Sequence, residues 1–297
     1  MKKYIFSISY AALLLCFTVY ILLDTFIITR IYQTVPNDTI SSATEESSEY
    51  IPSVTQTDKS YSDENIEISI TEYRENDTTV YVADVKVTSS EYLKTAFANN
   101  SYGRNVTAKT SATAQSNNAI LAINGDYYGA REKGYVIRSG VLYRETVSSE
   151  QEDLVVYKDG TFKIITESSI SANELLNDGA EQVFSFGPAL VENGKVSVTS
   201  TDEVGKAMSS NPRTAIGIID DLHYLLVVSD GRTSASEGLS LKELAEFMQS
   251  LGVETAYNMD GGGSSTMYFN GRVINNPTTS GKSIKERSVS DIVYIGY

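Results

Sequence analysis

The segment Asn258-Met259-Asp260-Gly261-Gly262-Gly263-Ser264-Ser265 concentrates more potential chemistry than any other stretch of this 297-residue chain. Three successive glycines let a backbone approach a ligand closely and let its N–H groups converge on an anion. An acid and an amide precede the run and two hydroxyls follow it, which sets it apart from a plain flexible turn. Two other loops share this polar character: Asn124-Gly125-Asp126 after AILAI, and Asp230-Gly231-Arg232 after LLVVS. Each ends a buried-strand pattern with a carboxylate, at the kind of place where ligands gather in sheet-based folds. Singly, each loop reads as an Asx-type turn; together they predict a common cleft. Arg213 in NPRTAIG, Arg232 in SDGRTS and Arg287 in ERSVSDIV have the planar guanidinium that matches phosphate oxygens. For any one of them, a solvated charge or a structural ion pair is the alternative.

Two other chemistries fit less well. The single histidine, His223, opens a strand pattern several residues before Asp230, a poor place for the base of a serine triad. No ligand spacing specifies a metal site, so no cofactor is assigned. Asp126, Asp230 and Asp260 together would suit Ca²⁺ or Mg²⁺ if activity proved sensitive to EDTA.

The elements that must position these residues are mostly strands. IEISITEY and TTVYVADVKV alternate apolar and polar residues. Four turn dipeptides between apolar runs predict hairpins: Ser139-Gly140, Asp159-Gly160, Asn193-Gly194 and Asn270-Gly271. One helix is well specified. Ser240 and Glu243 form a capping box, Leu241, Leu244, Ala245, Met248 and Leu251 recur at helical spacing, and Gly252 sits where a C-terminal cap belongs. The runs HYLLVVSD and VETAYNM flank it, which predicts a βαβ unit with parallel strands. The expected fold class is α+β: a mixed sheet with several hairpins and flanking helices in one domain.

The net charge of −14 and pI near 4.6 argue against a nucleic-acid partner. The only cysteine, Cys16, lies in the apolar N-terminal run, so the domain has no disulfide. That run, Tyr4 to Leu23, is uncharged and long enough to span a bilayer. Lys2 and Lys3 before it favour a cytoplasmic N-terminus, although Arg30 weakens the contrast. The chain therefore divides into a tip and transmembrane anchor (1–30), a disordered Ser/Thr/acidic linker (31–63) and an extracytoplasmic domain (64–297). A cleaved signal peptide, leaving a secreted domain, is the alternative.

The order NGDYY, SFGPALVENG, NPRTAIG, SDGR, SLKELAEFMQSLG, NMDGGGSSTM and ERSVSDIV resembles the phosphodiester glycosidase family, over roughly residues 65 to 297. PRTAIG followed by DGGGSS after the helix is the specific part of the pattern. Tyr127 and Tyr128 stand where many relatives have phenylalanines. The resemblance implies a hydrolase that frees a sugar, such as N-acetylglucosamine, from a glycosyl phosphodiester, and bacterial relatives suggest an exopolysaccharide or cell-wall setting. It implies that Asn124, Gly125, Asp126, Arg213, Thr214, Asp230, Gly231, Arg232, Asp260 and Gly261 to Ser265 line the active site. Arg213, Arg232 and the Gly261 to Gly263 amides would then hold the phosphate. Asp260 or Asp126 would serve as base or nucleophile. Two other readings stay open: a non-catalytic module for phosphorylated wall polysaccharide, and a metal-dependent phosphodiesterase that cuts the P–O bond.

Overall fold

The computed structural model describes residues 2–35, 54–199 and 210–297. The first helix, Lys2–Phe26, holds an apolar stretch, Phe6–Phe26, that is long and apolar enough to cross a membrane and is not buried against the rest of the chain. The linker expectation needs correction at both ends. Arg30–Thr34 is a strand paired antiparallel with Ser101–Arg104, and Thr55–Gln56 and Ser60–Ser62 are strands of the largest sheet. Residues 36–53, the rest of the expected spacer, lie outside the described residues. Polar composition hid these strands because each is short, and the partner of Arg30–Thr34 also lies far away in sequence.

A nine-stranded sheet forms one layer. Its central run, in spatial order, is Ala189–Glu192, Thr255–Asn258, Arg213–Asp220, His223–Ser229, Thr78–Val87 and Ile66–Glu75. Side chains alternate between its faces, as strand geometry requires. Val80, Val82, Leu225 and Val227 pack under the helix Leu241–Ser250, whereas Tyr81, Ala83, Leu226 and Val228 face the central core. Across that core lie two five-stranded sheets. One, centred on Leu121–Asn124, supplies Leu121, Ile123, Met267 and Val293; the other supplies Leu154, Val156 and Phe184.

All four expected hairpins are present. Ser139-Gly140, Asn193-Gly194 and Asn270-Gly271 all have positive φ, the paired left-handed conformation that matches the twist of the flanking strands. The capping box at Ser240 and Glu243 closes as expected, and Gly252 follows the helix at φ 83°. The parallel βαβ unit does not form as a neighbouring pair. Arg213–Asp220 lies between His223–Ser229 and Thr255–Asn258 and is antiparallel to both. The two outer strands run the same way but share no hydrogen bonds. Among the described residues every strand pairing is antiparallel, so the sheet is not mixed.

Candidate active site

Three strand ends meet at Asn124. Its Oδ1 accepts from Thr214 Oγ1 (2.8 Å) and from the Thr266 amide (3.2 Å), and its Nδ2 donates to the Asp260 carbonyl (2.6 Å). Asn124 and Thr214 are fully buried, so their work is to fix the DGGG loop against both sheets. Above this junction opens a cleft of about 860 Å³. Arg213, Arg232, Asn258, Asp260, Gly261, Gly262 and Arg287 all line it. A larger groove of about 1000 Å³, beside the edge strand Leu93–Phe97, contains none of the expected site residues.

Asp260 is the acid at the floor of the cleft. Arg287 Nη2 donates to both of its oxygens (3.1 and 3.4 Å), and Arg287 Nε and Nη2 both reach Ser264 Oγ. Burial pushes the Asp260 carboxyl up, and the Arg287 charge opposes that shift. Arg232 has φ 61° and is anchored by Asn211 Oδ1 and the Thr279 carbonyl (2.6 Å). Its pKa is lowered by partial burial and then by the charge of Arg287, so these two cations lie close enough to repel each other. Arg213 is buried, with Nε on the Leu239 carbonyl (2.7 Å). Such a cluster favours an anion.

Two of the three glycine amides are turned to acceptors within the protein. The Gly262 amide donates to the Pro212 carbonyl (2.8 Å), and the Gly261 amide serves Asp260. What they supply is room. A Cβ on Gly261 would stand 2.9 Å from Pro212 O, and one on Gly262, at φ 63°, would stand 2.9 Å from Arg232 Nη2. Gly263 packs on Thr279 in the same manner. Ser265 is buried beneath the loop.

Asp126 does not line the cleft. Its side chain is fully buried and accepts from the amides of Tyr128 and Ser185 and from Arg138 Nη2, each at 3.0 to 3.1 Å. Arg138 also binds Asp291 through Nε (3.1 Å) and Nη2 (2.7 Å) and lies over the Phe184 ring. Burial pushes Asp291 up to about 7, with Arg138 opposing and Asp126 adding to the shift. Gly125 is required there because a Cβ would run into the Asp291 carboxylate. Asp230 is likewise occupied, accepting from Asn276 N (2.7 Å), Asn276 Nδ2 (2.8 Å) and Asn275 Nδ2 (3.2 Å). Gly231 packs against Pro212. Asp126, Asp230 and Asp260 thus have separate partners and do not form one donor set; among the described residues no group of three His, Cys, Asp or Glu side chains is placed to hold a metal. His223 pairs with Asp84 (2.9 Å), away from the cleft lining.

Sequence reasoning missed the opposite wall: Arg131, Glu150, Gln151, Glu152, Phe186 and Pro188. Arg131 lies over the Phe186 ring at 5.1 Å and donates to the Ser185 carbonyl (2.9 Å). SFGPAL was a signal for this wall, but Arg131 and Gln151 carry none. Beneath it sits Asp153, pushed up to about 10 by burial and then by the charge of Glu167. The native state keeps a proton there that the unfolded chain loses near its ordinary value of 3.8. The resulting stability is complete below that value and declines, by up to about 1.4 kcal/mol per unit, as pH rises towards the native value. Asp153→Asn should therefore flatten thermal stability between about pH 5 and about pH 9, with its gain over wild type largest at the alkaline end. Melting curves across that range check this.

Fold comparison places the chain among sheet-rich domains of one architecture. It superposes with a TM-score of 0.62 and 21% identity on the zebrafish N-acetylglucosamine-1-phosphodiester alpha-N-acetylglucosaminidase catalytic domain auto-inhibited by pro-peptide, covering 78% of this chain and 83% of that one. A hypothetical protein from Synechocystis gives a TM-score of 0.58 at 15% identity, over 78% of this chain and 62% of that one. The chain belongs to the phosphodiester glycosidase family, which it matches over residues 117–296. It is 31% identical over 191 residues to the SPbeta prophage-derived uncharacterized protein YomE of Bacillus subtilis, spanning 62% of this chain and 29% of that protein. It is 29% identical over 159 residues to the mouse N-acetylglucosamine-1-phosphodiester alpha-N-acetylglucosaminidase, spanning 49% of this chain and 30% of that enzyme. The matched region thus makes up less than a third of these curated relatives.

Proposed function

We propose that this protein is a hydrolase that releases a sugar of the N-acetylglucosamine kind from a glycosyl phosphodiester. The observation that carries the reading is the convergence of Arg213, Arg232 and Arg287 around Asp260 in one cleft. The guanidinium groups bind the phosphodiester anion and stabilise the charge that grows as the sugar–oxygen bond breaks. A phosphomonoester leaves readily at neutral pH, so little acid assistance is needed. Asp260 attacks the anomeric carbon or removes a proton from the attacking water. Water's hydroxyl ends on the sugar, and the bridging oxygen departs with the phosphate. Asp126 takes no direct part in this scheme. It positions the loop through Arg138 and Asp291, and the other acids lining the cleft are Glu150 and Glu152.

The apolar helix serves as a single-pass anchor in this reading, with the domain outside the cell and a cell-surface or extracellular glycan as substrate. The net charge of −14 repels nucleic acid and other polyanions, so the local arginines select for an anion small enough to enter the cleft. Incubation of the detergent-solubilised chain with an α-N-acetylglucosaminyl phosphodiester should yield free sugar. Binding without turnover would overturn the enzymatic reading. Gly262→Ala should displace Arg232 and raise KM for that substrate about tenfold, the worth of about one charge-assisted hydrogen bond. Steady-state kinetics showing kcat changed and KM constant would contradict this role for Arg232.

A further inference from the structure

The spacer next to the apolar helix is docked on the domain, and this fixes where the domain sits. Arg30–Thr34 pairs with Ser101–Arg104, in register Arg30 with Arg104, Ile31 with Gly103 and Thr34 with Ser101. Among the described residues Ser101–Arg104 has no other strand partner. The Val35 amide extends the ladder to the Asn100 carbonyl (2.8 Å). Gly103 is tailored to this strand, because a Cβ there would collide with the Arg30 carbonyl. The helix end is gripped as well. Asn105 Nδ2 donates to the Thr25 carbonyl (3.2 Å) and the Ile28 carbonyl (3.1 Å), and Thr29 Oγ1 donates to the Asn105 carbonyl (3.3 Å). A domain loop thus satisfies carbonyls that a helix end otherwise leaves without partners. Arg30 also pairs with Asp24 back in the helix.

From these contacts we propose that the helix and the domain form one clamped unit, so that the domain rests against the phospholipid surface instead of ranging from it on a tether. Ile27, Ile28, Ile31 and Tyr32 are exposed and continue directly from the apolar helix, which places them at headgroup depth. Tyr32 contacts Tyr102 (5.9 Å), which stacks on Tyr128 (5.4 Å), three residues before the cleft residue Arg131. The docked strand is therefore linked to the cleft wall through Tyr102, Tyr128 and the short segment from Tyr128 to Arg131. The substrates the cleft meets are glycosyl phosphodiesters presented at the bilayer surface, such as those carried on a lipid. This rests on the reading that the helix stays in the membrane.

The test uses the full chain in phosphatidylglycerol/phosphatidylethanolamine vesicles containing headgroup spin-labelled lipid, with Cys16→Ser and a fluorophore on either Ile31→Cys or Thr107→Cys. Thr107 is exposed and two residues beyond Asn105. Clamping predicts quenching at both positions and loss of quenching at 107 alone when Gly103→Val expels the strand. Should that variant misfold, Ile31→Pro with Tyr32→Pro breaks the ladder from the other side, outside the domain, and predicts the same loss at 107. A probe at 107 that is unquenched in the parent chain overturns the clamp. A mature protein isolated from cells without residues 1–26 overturns the anchor instead, whatever the vesicles show.

Discussion

Replacing Asp260 with asparagine lowers turnover of the phosphodiester by roughly 10³-fold and leaves the melting temperature close to that of wild type. The expectation follows from the position of this acid. Asp260 is the site carboxylate that lines the cleft between the arginines, and it is held there by Arg287 and by the amide of Gly261. Asparagine keeps the shape and can still meet Ser264 and Arg287, but it can neither attack carbon nor accept a proton. Substrate affinity should change little or rise, because one negative charge facing the anion has gone. A pH profile gives a second readout. Burial raises the Asp260 pKa, so the acidic limb of kcat/KM should lie above that of an ordinary aspartate, and removing the Arg287 charge should move it higher still.

Arg138→Met carries the largest expected effect on stability, a loss of about 3–5 kcal/mol. The guanidinium is buried between Asp126 and Asp291 and also donates to the carbonyls of Ile137 (3.0 Å) and Val183. Without it two neighbouring carboxylates share a dry interior with no counter-charge. For a domain of this size the melting temperature should fall on the order of 10 °C. The sign of the pH dependence is specific. Loss of the cation raises the Asp291 pKa further in the folded state, so protonation relieves the defect; the deficit should shrink as pH falls and grow as pH rises through neutrality. Adding Asp291→Asn should recover part of the loss, a coupling that urea titrations of the two single variants and the double variant would measure. Additive losses would show that the three residues do not act as one unit.

What could be read from the chain and what could not divides along sequence distance. Asn193-Gly194 and Asn270-Gly271 declare their hairpins because two adjacent residues supply the backbone angles. Ser240 and Glu243 declare a helix start because both halves of the cap lie within one turn. Arg213, Arg232, Arg287 and Asp260 could be picked out by motif, and they do share a cleft. The fate of Asp126 could not, since its partners Arg138 and Ser185 come from a strand of another sheet and the residue just after one. An acid in a loop at a strand end reads the same in sequence whether it faces solvent or a buried guanidinium. The orientation of the Gly261 and Gly262 amides is hidden for a similar reason: whether an amide points at a ligand, at Asp260 or at Pro212 depends on the neighbouring chain. His223–Ser229 and Thr255–Asn258 do run parallel in one sheet, but Arg213–Asp220 lies between them, and no local pattern reveals that insertion.

The bond that is cut decides the account. Hydrolysis of an α-N-acetylglucosaminyl phosphodiester in ¹⁸O-labelled water, with mass spectrometry of both products, should place the label on the anomeric oxygen of the released sugar and leave the phosphomonoester unlabelled. Label in the phosphate, with none in the sugar, would mean attack at phosphorus and would contradict the roles assigned to Asp260 and the three arginines.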